Sequence, residues 1–233
     1  MSAEAELPGL AELGRQPDPI PPPLSPMLEA ELERLAPAPP RRPVRQLALL
    51  VAISIIYGAG VLAVVAMRHD LSDLPMHWVL GVAVAWLAGF LVPMYLALVP
   101  RPGSALPRAA HAGAAAAIAA LTFVGLGLVL HPEPPTATHL PTLGAGLGCL
   151  HVGLATSLVP AVIGAIFLRG ALPVGARWTA AALGAGGGSL GGLVLHLHCR
   201  VSDALHVGLI HGGVVAVAAV LAAALVPRAT ELR

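Results

Sequence analysis

The chain has 233 residues, of which 57% are hydrophobic and only 11% charged, with a net charge of +1. A mean hydropathy of +0.82 excludes an ordinary soluble domain, and the near-neutral balance excludes a basic face for phosphates, so no direct nucleic-acid partner is expected. Aromatic residues make up 3%, which leaves Ala, Leu, Val and Gly as the apolar material, a mixture that lets membrane helices approach closely.

Residues 1–45 are polar and Pro-rich and show no cleavable-signal pattern, so they are expected to remain as a cytoplasmic, partly disordered tail. The piece "AEAELPGLAELG" carries Leu7, Leu10 and Leu13, and the Pro-rich spacer "QPDPIPPPLSP" follows it. Ser25 as N-cap and Pro26 at the first helical position then open a helix, "MLEAELERLA". Leu28, Leu32 and Leu35 recur at i, i+4 and i+7, with Glu29, Glu31 and Glu33 mainly around the other side. A helix of about ten residues is not stable alone, so the leucine stripe needs a partner surface. Its acidic face suits a basic protein better than anionic headgroups, although a tail lying on the membrane is the alternative reading.

Six apolar runs beyond the tail are long enough to cross a bilayer, which predicts an all-α, polytopic membrane protein. They run over Leu47–Met67, Trp78–Val99, Ala109–Leu130, Leu147–Leu168, Trp178–Leu197 and Leu205–Val226. The fourth contains Pro160 and reads as a kinked span. The membrane domain is thus expected over 46–228, with 229–233 as a short cytoplasmic end. With the N-terminus inside, eleven arginines fall on cytoplasmic segments, and only Arg68 and Arg200 fall on the other side. This bias predicts N-in and C-in. The fifth run holds "LGAGGGSLGGL", in which Gly184, Gly188 and Gly192, and again Gly187 and Gly191, recur every four residues. That is a doubled small-residue packing face rather than a phosphate loop, since no Lys or Thr follows the glycines.

In this topology both cysteines and nine of the ten histidines lie on the outer side. They concentrate near Cys149 and in "LHLHCRVSDALHVGLIH", Leu195 to His211. His196 and Cys199, three apart, share a helix face, while His198 points away. His206 and His211 are about 140° apart on an ideal α-helix, so one of the two is expected to enter a common site. Cys149, Cys199, His196 and one of His206 or His211 would supply thiolate and imidazole ligands suited to zinc or copper. The same cysteines could instead form a reversible Cys149–Cys199 disulfide, the histidines could ligate haem, or the residues could simply pack at the interface. Catalysis finds no support: the spans hold no paired carboxylates, no HExxH and no GxSxG. Transport of a metal by the Cys and His cluster is the alternative function, although no Asp, Glu or Arg lies within a span to relay protons.

The short N-terminal segment, the six spans, the cysteine opening span four, and "LHC" closing span five with histidines beyond it resemble the NrsF-type six-helix membrane anti-sigma factors. The resemblance is architectural over nearly the whole chain, and its specific signal lies in Cys149 and residues 195–211. It implies a bacterial inner-membrane protein whose tail holds an extracytoplasmic-function sigma factor away from RNA polymerase. Release would follow an envelope, redox, metal or light-derived signal, with Cys149 and Cys199 implicated in sensing. Residues 1–45 contain no His or Cys, so this tail departs from the zinc-binding helix of soluble anti-sigma domains. A sigma contact would therefore use Leu28, Leu32 and Leu35, or Leu7, Leu10 and Leu13.

Overall fold

The computed structural model describes residues 25–27, 29–30, 41–99, 143–169, 176–201 and 203–231, with Ala115, Ile118, Ala119, Thr122, Gly125 and Leu126. All secondary structure among the described residues is helical. The chain divides into two units, Met1–Arg41 and Arg42–Arg233. In the first, the expected helix start is present: Glu29 N–H donates to the Ser25 carbonyl at 3.0 Å, the first bond an N-cap carbonyl accepts. Leu7, Leu10, Leu13, Leu28, Leu32 and Leu35 lie outside the described residues.

The second unit contains α1 (Pro43–Val65), α2 (Met76–Leu98), α3 (Leu143–Leu168) and α4 (Ala176–His198). It closes with α5 (Ala204–His206), a π-turn (Val207–His211) and α6 (Gly212–Glu231). Among the described residues, five helices are long and apolar enough to cross a membrane, the last being Ala204–Arg228. The expected span Ala109–Leu130 lies mostly outside the described residues. Its described members are helical, and Ala119 and Leu126 pack against Trp86 of α2. Ile56, Val64, Leu80, Val84, Leu158 and Val220 are more than half exposed, an outward apolar surface of the kind that faces lipid.

One helix is the exception. The most apolar stretch of α4 is 83% buried, against 17–39% for the other four. Glycine makes this possible, because neighbouring backbones come where side chains would stand. A Cβ on Gly188 would lie 2.6 Å from Val215 Cα of α6, and one on Gly184 would strike the Ala218 carbonyl. A Cβ on Gly187 would lie 2.7 Å from the Ser157 carbonyl of α3, and one on Gly191 would strike the Gly153 carbonyl. Gly192 is covered by the Trp86 ring of α2. The glycines thus serve three neighbours, where two overlapping repeats on one doubled face were expected.

Hydrogen bonds fix which helix ends lie together. Arg68 N–H donates to the Leu197 carbonyl at 2.9 Å, and His198 Nδ1–H to the Ala66 carbonyl at 2.7 Å. The α1–α2 loop therefore folds against the C-terminal end of α4. Near the other end Leu98, Leu168 and Leu183 share one core cluster with Leu50. So α2 finishes at the end where α1 begins, and α3 begins at the opposite end, beside Cys199.

Candidate metal and thiol site at one end of the bundle

Four ligand-bearing side chains converge where α3 begins, α4 ends and the last spanning helix starts. Cys149, Cys199, His206 and His211 each offer a ligand atom, and these atoms all lie within 4.8 Å of one another. Cys149 Sγ is 3.5 Å from Cys199 Sγ, and Cys199 Sγ is 3.5 Å from His206 Nε2. Zinc-type bond lengths in a tetrahedron give sulfur–sulfur edges of about 3.8 Å and sulfur–nitrogen edges of about 3.6 Å. These two separations are close to the edges of a Cys2His2 cation site, and the widest of the six, within 4.8 Å, would have to shorten by up to about 1 Å. Both cysteines are free thiols, and a disulfide would require the sulfurs to close to about 2.0 Å.

Burial sharpens this reading. Cys199, His206 and His211 are buried, yet His206 Nδ1 and His211 Nε2 have no hydrogen-bond partner among the described residues. Buried polar atoms normally find partners, and His206 turns its Nε2 to Cys199 at 3.5 Å while its Nδ1 stays open, so one nitrogen of this ring is presented to the thiols. A cavity of about 10 Å³, the size of one water, adjoins the cluster on the side of Cys199 and His211, between Val207, Arg68, Trp78 and His196; Cys149 and His206 do not line it.

The structure brings together both cysteines and both of the alternatives His206 and His211. The 140° estimate assumed an α-helix throughout, whereas Val207–His211 is a π-turn, with Gly212 N–H bonded to the Val207 carbonyl. The two imidazoles meet edge to face at 5.1 Å. His196 does not join the ligand set. Its Nε2–H donates to the Val79 carbonyl of α2 at 3.2 Å, and its ring lies 5.1 Å from Trp78, so it pins α4 to α2 beside the cluster. His198 bonds Ala66 instead, consistent with its pointing away.

Three further residues shape the site. Asp203 Oδ2 accepts the His206 N–H at 2.9 Å and caps the short helix that carries this ligand. Arg68 and Asp70 form a buried two-bond ion pair, at 2.6 and 2.8 Å, in the loop that covers the cavity. The Arg68 guanidinium holds the Asp70 carboxyl below its ordinary range, against the opposing effect of burial. Asp203, three residues before His206, stands at ordinary N-cap spacing and was legible in the sequence; a pairing of Arg68 with Asp70 within a loop leaves no periodic signal.

No curated protein and no solved structure matches the chain. The family model described as NrsF, negative regulator of sigma F, matches residues 32–231. That stretch takes in every helix of the membrane unit and all four converging ligands. The chain therefore belongs to the NrsF family of anti-sigma factors, which are regulators of transcription and not enzymes.

Proposed function

We propose that this protein is a bacterial inner-membrane anti-sigma factor with a cytoplasmic tail and a sensor cluster on the opposite side of the membrane. The tail, residues 1–45, holds an extracytoplasmic-function sigma factor. The cluster of Cys149, Cys199, His206 and His211 registers the releasing signal. The family match over residues 32–231 carries the reading. Leu32 and Leu35 fall inside the matched stretch, which favours the acidic helix over Leu7, Leu10 and Leu13 as the main sigma contact.

Six spans with both termini inside are supported by the arginine asymmetry and by chain direction. Because α2 ends at one end of the bundle and α3 begins at the other, the chain between them has to return across it. At the cluster, the ligand chemistry favours a thiophilic divalent cation, zinc or copper in class, held by two thiolates and two imidazoles. Oxidation to a Cys149–Cys199 disulfide is the competing signal chemistry. Labelling of both thiols only after reduction would favour the disulfide.

The test is co-purification of a sigma factor with the full-length protein from membranes. Deleting residues 1–45 is expected to abolish it, and retained binding would sink the tail's role. Metal transport through the same cluster remains the second reading. Metal uptake by cells that persists without residues 1–45 would favour it.

A further inference from the structure

In an α-helix five steps leave two residues about 140° apart, which sends His206 and His211 to different faces. Here they meet because the five residues Val207–His211 form a π-turn, whose wider circuit brings positions i and i+5 back to one side. The wide turn is confined to this stretch, with α-helix on both sides. Before it, α5 has three residues and is anchored by the Asp203 cap. After it, α6 is seated against α4 at Gly184 and Gly188. Leu209, at the middle of the turn, is exposed.

We infer that the π-turn is the positioning element of the cluster: it converts a His-x4-His spacing into a facing imidazole pair and so completes a Cys2His2 cage for a thiophilic divalent cation. The inference rests on the metal reading above. A π-turn is the rarer backbone form, and a cation that binds both imidazoles favours it by as much as it binds that form better.

Full-length protein in detergent micelles, with thiols reduced, is titrated with Co2+. Its visible bands report four-coordination, and its near-ultraviolet charge-transfer band reports thiolate. The wild type is expected to show both. Deleting Leu209 leaves His206 and His211 four apart, the spacing that an ordinary α-helix places on one face. This variant is expected to keep the four-coordinate spectrum and the affinity. His206→Ala, and insertion of one Ala after Gly208, are expected to lose that spectrum and at least about 10-fold in affinity, the lower end of what loss of a ligand's mere outer partner costs. A monodisperse Leu209 deletion variant that behaves like His206→Ala overturns the inference. A second measurement needs neither an intact cage nor a shortened helix. In a Cys149→Ser, Cys199→Ser background, His206→Cys with His211→Cys is treated with oxygen and copper–phenanthroline. The two thiols are expected to join, and thiols that stay free overturn the turn's role. Absence of any cobalt spectrum from the wild type overturns the metal reading instead.

Discussion

Asp70 is the side chain whose loss should be felt most directly. It is almost wholly buried and holds Arg68 through two bonds, in a loop that also hydrogen-bonds the end of α4. Its folded-state carboxyl lies below the ordinary value of 3.8. The pair's stabilisation is therefore complete above that ordinary value and is lost as pH falls through the depressed one. Asp70→Asn leaves a buried guanidinium facing a neutral partner. We expect it to lower stability at pH 7 by on the order of 3 kcal/mol and to flatten the decline below pH of about 4. Detergent unfolding of wild type and variant at both pH values checks this. An unchanged acid limb would mean that another carboxylate governs it. In the sequence Arg68 is one of two arginines on the sparsely charged side, and nothing there shows that it is buried or paired.

At the scale of helices, α4 makes the sharpest prediction. Gly188→Ala puts a methyl 2.6 Å from Val215 Cα, so α4 and α6 have to separate. A cost of about 1–3 kcal/mol is expected. Gly60→Ala in α1 meets nothing within 4 Å and is expected to be neutral or stabilising by up to about 1 kcal/mol. Equal responses of the two variants in detergent unfolding would remove the packing role assigned to Gly188. Spans of this kind are legible in sequence because length and apolarity are local properties. The partners of each glycine are not, since a repeat of four states that a helix approaches without saying which one. The convergence of side chains was legible as far as Cys149, Cys199 and the general position of the histidines. The choice among them was not, for two reasons. His196 is claimed by a carbonyl over a hundred residues away, and an assumed turn of 100° per residue hides a π-turn.

For the whole molecule, the ligand cluster and the start of α1 lie at opposite ends of the bundle. Six spans then require reporters fused after Val99 and after Thr142 to land on opposite sides of the membrane, the first with the tail. Reporters on one side would sink the six-span topology. The burial of α4 has a further consequence for how the protein is made. Its face is largely backbone, and it is the least apolar of the five described helices long enough to span, so greasiness holds it in the bilayer least firmly. During synthesis α4 emerges before the helix that covers Gly184 and Gly188, and it stays incompletely seated until that last segment arrives. The same segment brings His206 and His211. A nascent chain therefore gains its settled centre and its full cluster of thiols and imidazoles in one step, and a chain cut short before it has neither.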